Sequence, residues 1–133
     1  MFNNELGNYE VTEPEMLLNF QSYPKEIINI RTDEEFNSIV RQYPEKVFAI
    51  DCWAEWCGPC KLFTPIFKKL QEEFRKDFIF IRVNVGENQQ FALKNRVTSI
   101  PALIFMKGGK AINKIVGLVN HESLRKVLIR LKN

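Results

Sequence analysis

The chain has 133 residues, 45% of them hydrophobic, and a formal net charge of +3 at pH 7. This size and composition suit one compact domain with a buried core. No run of eighteen apolar residues occurs, so we expect no contact with a membrane, and the small net charge gives no reason to expect nucleic-acid binding. Three cysteines are also too few for a secreted scaffold held together by disulfides.

Residues 1–26 precede the pattern of a folded domain and are interpreted as an N-terminal extension. The first residues lack the basic and apolar regions of a secretory signal, which favours a cytoplasmic location. Thr12–Glu15 has the form of a capping box and apolar residues follow it, so a short helix is expected; a frayed tail is the alternative. With five glutamates and one lysine, residues 1–28 carry a charge of −4 and the remainder carries +7. This asymmetry indicates either an ordinary solvated surface or a preference for acidic partners.

The domain begins with a predicted strand, Ile27 to Ile30, and a helix opened by a second capping box at Thr32. Pro44 ends this helix. An apolar run from Val47 to Trp53 then predicts a central strand that is covered on both faces. Asp51 interrupts the run, and a buried carboxylate is costly unless it has a partner or a task. It is therefore a candidate general base, or else a carboxylate exposed at the end of the strand.

Cys57 and Cys60 follow where this strand ends and a long amphipathic helix begins. A helix N-terminus favours a thiolate over a thiol, and residues three apart lie on one helix face, so the two sulfurs can meet. This arrangement predicts a dithiol that exchanges with disulfides, with Cys57 exposed and Cys60 held deeper. Metal binding would need more ligands than one Cys-x-x-Cys pair supplies, and the remaining candidates, Cys52 and His121, do not have ligand spacing, so neither a metal nor a cofactor is expected.

The rest of the chain predicts a helix over Lys61–Lys76, followed by a strand, a short helix, a hairpin and a last helix from near Asn120. The apolar stripe of the first of these helices is assigned to Leu62, Phe63, Ile66, Phe67, Leu70 and Phe74. The later elements are placed at Phe78–Val85, Asn88–Lys94, Ala102–Met106 and Ala111–Val116, with a turn at Lys107–Lys110. The predicted fold class is α/β, a central mixed β-sheet flanked by helices on both faces in three layers, α/β/α.

The stretch from Trp53 to Lys61, which contains Trp-Cys-Gly-Pro-Cys, closely resembles the active-site motif of the thioredoxin family, and the resemblance covers roughly residues 27–133. It implies a thioredoxin fold and a protein-disulfide reductase in which Cys57 is the nucleophile and Cys60 the resolving thiol. It also implies a buried base at Asp51, because the family's buried aspartate lies six residues before the first cysteine. Many members carry a lysine near this aspartate where the chain has Arg82, which could hold Asp51 ionised more firmly.

The resemblance further implies a groove that receives an extended peptide carrying the target disulfide. Ile100-Pro101 matches the family's cis-proline site, so a cis peptide bond is expected there. The groove and the loop between the cysteines are assigned to Trp56, Gly58, Pro59, Ile100, Pro101 and Gly117. Cys52 stands where the family usually has an aromatic residue and is interpreted as an inert buried side chain.

The partners implied by the resemblance are a thioredoxin reductase, which would reduce the Cys57–Cys60 pair, and proteins that contain disulfides. The chain itself is expected to be a monomer. Two other functions are left open. One is a thiol oxidase or isomerase, which a measured redox potential would distinguish. The other is a binding module in which turnover is incidental, and the sensitivity of that binding to Cys57→Ser would distinguish it.

Overall fold

The computed structural model describes residues 2–6, 9–11 and 22–133. The first two ranges are strands β1 (Phe2–Leu6) and β2 (Tyr9–Val11), which pair antiparallel in a two-stranded sheet. The helix expected after Thr12 falls on residues outside the described ranges. In the segment that leads into the main sheet, Tyr23 packs against the core and the Lys46 ammonium lies 4.4 Å from the centre of its ring.

The main sheet has five strands in the order β3-β5-β4-β6-β7. These strands are β3 (Ile28–Ile30), β4 (Val47–Trp53), β5 (Phe78–Asn84), β6 (Ala102–Lys107) and β7 (Lys110–Val116). Strands β3, β5 and β4 run parallel, whereas β6 pairs antiparallel with β4 and β7 with β6. The β6–β7 turn is formed by Gly108 and Gly109, whose positive φ angles of 59° and 81° suit glycine. The mixed sheet predicted from the sequence is confirmed.

In the part of the chain that the structure describes, four helices cover the two faces of this sheet. They are α1 (Asp33–Gln42), α2 (Gly58–Phe74), α3 (Gln89–Lys94) and α4 (His121–Lys132). One core cluster contains Phe36 and Tyr43 from the α1 region, Phe91 from α3, and Ile50 from β4. The other cluster contains α2 and α4 side chains together with Ala49 of β4. Helices α1 and α3 therefore lie on one face and α2 and α4 on the other, which confirms the three-layer α/β/α arrangement.

The side chains of β4 alternate between these two layers. Phe48, Ile50 and Cys52 belong to the α1/α3 cluster, and Ala49 belongs to the α2/α4 cluster. Because alternate residues of a strand share a face, Asp51 lies on the same side as Ala49, beneath α2. The apolar run of β4 therefore reflects its central position, with packed helices on both sides.

Helices α1 and α4 each begin at a residue whose side chain caps the helix, Thr32 and Asn120. Thr32 Oγ1 accepts a hydrogen bond from the Glu35 amide at 3.1 Å, and Glu35 Oε1 accepts one from the Arg31 amide at 2.8 Å. This is a reciprocal capping box, as predicted. At α4, Asn120 Oδ1 accepts from the Ser123 amide at 2.8 Å. Among the described residues, no helix is both long and apolar enough to cross a membrane.

Helix α2 differs from the prediction in its first residue and in one residue of its predicted buried face. It begins at Gly58 rather than Lys61, because Cys57 is its N-cap and Pro59 fits the first turn, where no amide hydrogen is needed. Leu62 does not belong to the buried stripe, since 64% of it is exposed. Neighbouring residues of a helix point about 100° apart, so the burial of Phe63 turns Leu62 toward solvent. The helix continues through Pro65.

Arg96 follows α3 with a left-handed φ of 54°. Its amide donates to Leu93 O at 3.3 Å and the next amide, of Val97, donates to Ala92 O at 2.9 Å, which closes the helix end. Glycine takes this backbone conformation without the steric cost that a side chain imposes. We expect Arg96→Gly to raise the free energy of unfolding by about 0.5–1 kcal/mol, measured by urea denaturation. A loss of stability would show that contacts of the arginine side chain outweigh the backbone strain.

Candidate active site

The two active-site cysteines lie in the junction between β4 and α2. The Cys57 amide donates to Ala54 O at 3.2 Å, which turns the chain from the strand into the helix. Cys57 and Cys60 are joined by a disulfide, and their Cα atoms are 5.3 Å apart. Gly58 and Pro59 form the first two positions of α2 between them. The structure thus brings together the two thiols that the sequence predicted to meet.

The Cys57 sulfur sits at the positive end of α2. Cys57 is the N-cap, and its Sγ accepts a hydrogen bond from the Cys60 amide at 3.2 Å. A helix N-terminus and an amide donor both stabilise negative charge, so this position favours a Cys57 thiolate when the disulfide is reduced. The same sulfur lies 3.8 Å from the Ile100 carbonyl oxygen.

The expectation that Cys57 is exposed is wrong for this disulfide form of the protein. Only 4% of Cys57 is exposed, against 1% of Cys60. The disulfide bond joins the Cys57 sulfur to Cys60 in the first turn of α2, and the Ile100 carbonyl oxygen lies 3.8 Å from the same sulfur. The two cysteines therefore differ less in exposure than in surroundings, because Cys57 caps the helix whereas Cys60 lies within it.

Asp51 is completely buried, which excludes an exposed carboxylate at the end of the strand. Its partner is Arg82, whose Nε donates to Asp51 Oδ2 at 3.1 Å. The two residues are paired in register on the parallel strands β4 and β5, so their side chains lie side by side. The other carboxyl oxygen, Oδ1, accepts no hydrogen bond from the described residues.

Burial raises the pKa of Asp51 to about 6, and the charge and hydrogen bond of Arg82 oppose this shift. Removal from water disfavours the ionised form of a carboxyl group, whereas a nearby cation favours it. A carboxyl with a pKa near 6 is mostly ionised at neutral pH and still basic enough to accept a proton. Arg82 therefore moderates the effect of burial but does not cancel it.

An apolar groove lies beside the loop that carries the cysteines, and Trp56 and Ile100 are among the residues that line it. Trp56 is 76% exposed and lines a groove of about 450 Å³ with Val85, Ala92, Val97 and Ile100. The Ile100–Pro101 peptide bond is cis, as the family resemblance implied. Gly117 donates its amide to Pro101 O at 2.8 Å and has a φ of 99°, and a Cβ at this position would meet open space. Of the six residues assigned to the groove and its loop, Trp56 and Ile100 line this groove, Gly58 and Pro59 lie between the two cysteines, and Gly117 contacts Pro101.

Sequence reasoning did not single out Thr64, although it contacts this site. Its hydroxyl donates to the Cys60 carbonyl oxygen at 3.1 Å and accepts from Arg82 Nη2 at 3.4 Å. A threonine beside a charged partner has no sequence signature, because Thr64 and Arg82 are distant along the chain. The described residues contain no group of three or more His, Cys, Asp or Glu side chains placed to hold a metal ion.

Cys52 is a free, fully buried thiol in the α1/α3 core. Burial raises the pKa of this thiol, and the neighbouring Asp51 charge raises it further. A thiol that stays protonated is a poor nucleophile. We expect Cys52→Ala to leave disulfide reduction unchanged and to lower the free energy of unfolding by about 1 kcal/mol, as read from denaturation and turnover assays. Loss of turnover in a folded Cys52→Ala protein would contradict this.

Comparisons with known proteins agree with this geometry. The thioredoxin family model matches residues 27–130. The chain is 40% identical to Thioredoxin-1 of Caenorhabditis elegans over 94 residues, which cover 71% of this chain and 81% of the relative. It is 38% identical to a thioredoxin of Staphylococcus aureus over 97 residues, which cover 73% and 90% of the two chains.

Solved structures show the same likeness. The structure of Schistosoma mansoni thioredoxin matches with a TM-score of 0.72 and 28% identity, over 80% of this chain and 95% of that one. Oxidised mitochondrial thioredoxin 3 of Saccharomyces cerevisiae matches with a TM-score of 0.68 and 31% identity, over 78% and 94%. The residues matched by the family model, the fold and the paired cysteines show that the chain belongs to the thioredoxin family of dithiol–disulfide oxidoreductases.

Proposed function

We propose that Cys57, Cys60 and Asp51 divide the exchange reaction among them, with Cys57 as nucleophile, Cys60 as resolving thiol and Asp51 as base. The observation that supports this assignment is the position of Cys57 as N-cap of α2, with its sulfur 3.2 Å from the Cys60 amide nitrogen. A thiolate is stabilised there, and thiolates attack disulfides.

The first step transfers the substrate onto Cys57. The Cys57 thiolate attacks one sulfur of the substrate disulfide, which forms a mixed disulfide and releases the other substrate sulfur as a thiolate. In the second step Cys60 gives its proton to the Asp51 carboxylate and attacks the Cys57 sulfur. This forms the Cys57–Cys60 disulfide and releases the second substrate sulfur, so that the substrate gains two electrons and the protein loses two.

The groove around the disulfide would present the substrate to Cys57. We propose that Trp56, Ile100, Pro101 and Gly117 receive an extended peptide on either side of its disulfide. The open space above Gly117 and the exposed ring of Trp56 support this role. Gly58 and Pro59 keep the two cysteines in the first turn of α2.

The proposed physiological direction is reduction of protein disulfides, with a thioredoxin reductase returning the Cys57–Cys60 disulfide to the dithiol. Such an electron supply fits the proposed cytoplasmic location. The test combines the purified protein, a thioredoxin reductase with NADPH, and a protein disulfide such as that of insulin. We expect NADPH consumption that depends on all three components and a redox potential close to the value known for thioredoxin, about −270 mV. A potential near −120 mV would instead indicate a disulfide oxidant.

We also propose that residues 1–26 are an extension that the exchange reaction does not need. Every residue assigned to the reaction lies at Asp51 or later. Tyr23 packs on the core, and Lys25 O accepts a hydrogen bond from the buried Gln71 at 2.8 Å, so the informative truncation stops before them. A chain without residues 1–21 is expected to keep its rate of disulfide reduction within about twofold in the reductase assay. A larger loss would place part of the extension in substrate capture.

A further inference from the structure

The guanidinium of Arg82 contacts more than the carboxylate beside it. Its Nε donates to Asp51 Oδ2 at 3.1 Å and its Nη2 donates to Thr64 Oγ1 at 3.4 Å. Its central carbon lies 4.4 Å from the centre of the Trp53 ring. A planar guanidinium can satisfy all three partners at once because its donors point in fixed directions. Arg82 therefore connects strands β4 and β5 to helix α2.

Thr64 is oriented by the turn of α2 that carries Cys60. Its hydroxyl has one proton, which it donates to the Cys60 carbonyl oxygen at 3.1 Å. With the proton directed there, the oxygen lone pairs of Thr64 are left to accept from Arg82. The contacts thus form one continuous series, from the Asp51 carboxylate through Arg82 and Thr64 to the backbone of the resolving cysteine.

We propose that Thr64 is a positioning residue, whose hydroxyl holds the Arg82 guanidinium against Asp51 and fixes both relative to the turn that carries Cys60. This proposal rests on the proposed role of Asp51 as the base for Cys60. Without the hydroxyl, Nη2 loses its partner on α2 and the partly exposed Arg82 side chain gains freedom to leave the carboxylate. The countercharge that keeps Asp51 ionised would then act less strongly.

The surroundings of Asp51 make this effect measurable. Among the described residues, the charge that acts on the Asp51 carboxyl is that of Arg82 from β5. Cys52, the next residue on β4, is a thiol whose pKa is raised by burial and by Asp51, while Lys114 from β7 lowers it. From helix α2, the uncharged Thr64 hydroxyl contacts Arg82. Replacing the Thr64 hydroxyl therefore removes no charge, and a changed titration of Asp51 must come through the placement of Arg82.

The first measurement follows the Asp51 carboxyl carbon by NMR against pH in the oxidised protein, in which Cys57 and Cys60 do not titrate. Thr64→Val keeps the shape of the side chain but has no hydroxyl, and Thr64→Ser keeps the hydroxyl. We expect Thr64→Val to raise the Asp51 midpoint by about half a unit to one unit, because the neighbouring cation is held less closely. We expect Thr64→Ser to stay within about 0.2 units of the parent chain.

The second measurement follows the reaction itself. Reduced protein is mixed in a stopped-flow instrument with a small aromatic disulfide whose released thiolate is coloured. The first release, from attack by Cys57, depends on reagent concentration, and the second, from attack by Cys60, does not. We expect Thr64→Val to slow only the second phase, about threefold to tenfold below pH 6, with rates that converge above about pH 8.

Arg82→Lys supplies a matched background for these variants. A lysine keeps the positive charge but lacks the planar fork that can contact Asp51 and Thr64 together. If Thr64 acts through Arg82, adding Thr64→Val to Arg82→Lys should change the Asp51 midpoint by less than about 0.2 units. An undiminished Thr64→Val effect in this background would overturn the proposed connection.

The proposal is overturned if Thr64→Val leaves the Asp51 midpoint unchanged, or if Thr64→Ser shifts it as far as Thr64→Val. A shifted midpoint with an unchanged second phase would overturn the connection to the reaction. Failure of the Asp51 base role is distinguishable, because Asp51→Asn would then leave the second phase unchanged at every pH. In that case the carboxyl titration alone decides whether Thr64 positions Arg82.

Discussion

Cys60→Ser is expected to accumulate as a stable mixed disulfide with its substrate, joined through Cys57, and to release no oxidised product. The substituted serine cannot attack the Cys57 sulfur, so the reaction stops after its first step. Cys57→Ser is expected to show no reduction above the background of the buffer thiol and no trapped substrate. The asymmetry follows from the positions of the two residues, since Cys57 caps α2 and Cys60 lies inside its first turn.

The measurement combines turnover of a protein disulfide with non-reducing gel electrophoresis of each variant. Cys52→Ala serves as the control, because it removes a thiol that is buried away from the reacting pair. Trapping on Cys57→Ser rather than Cys60→Ser would reverse the two roles, and parent-like turnover by Cys60→Ser would contradict the assignment altogether. Mass spectrometry of trapped complexes from cell lysate would then identify substrates.

Asp51→Asn is expected to stabilise the folded protein at alkaline pH and to slow the resolving step. The pKa of Asp51 rises from the model-compound value of 3.8 to about 6 because of burial, so the folded chain binds this proton more tightly than the unfolded chain. Ionisation therefore costs the folded state free energy. That cost is absent below the unfolded pKa near 4, grows between the two values, and is complete above about pH 6.

The neutral amide of asparagine has no such cost. We expect Asp51→Asn to raise the free energy of unfolding by about 2–3 kcal/mol at pH 8, which corresponds to a pKa raised by about two units with the opposing effect of Arg82 already included. The gain should vanish by about pH 4. Urea denaturation of the oxidised proteins at several pH values measures it, and an equal gain at pH 4 and pH 8 would contradict a titrating buried carboxyl.

The kinetic effect of the same variant is separable from its effect on stability. Without a carboxylate to accept the Cys60 proton, the concentration-independent release in the stopped-flow assay should slow by about tenfold to a hundredfold at neutral pH. Attack by Cys57 should change little, since that sulfur is stabilised by the start of α2. Slowing of the first phase alone would place Asp51 in the activation of Cys57 instead.

The sequence by itself determined the order of elements and the location of the reacting pair. The apolar run of β4 required packing on both faces, and the Thr32 capping box set the start of α1, because local hydrogen bonds and the period of apolar residues are written along the chain. The Cys-x-x-Cys spacing likewise places both sulfurs on one helical turn. These features depend on residues that are close together in the sequence, so they can be predicted without knowledge of the fold.

Only the tertiary structure decided what surrounds these groups. The register of β4 and β5 brings Arg82 beside Asp51, which the family resemblance alone had implied, and the placement of α2 over the sheet brings Thr64 to Arg82, which nothing in the sequence had indicated. The rotation of α2 exposes Leu62 while it buries Phe63. Each outcome depends on how separate elements pack, because 31 residues of chain separate Asp51 from Arg82 and no local pattern connects them. The sequence therefore identified the reacting residues, while the packing of the helices and strands determined the charges and contacts around them.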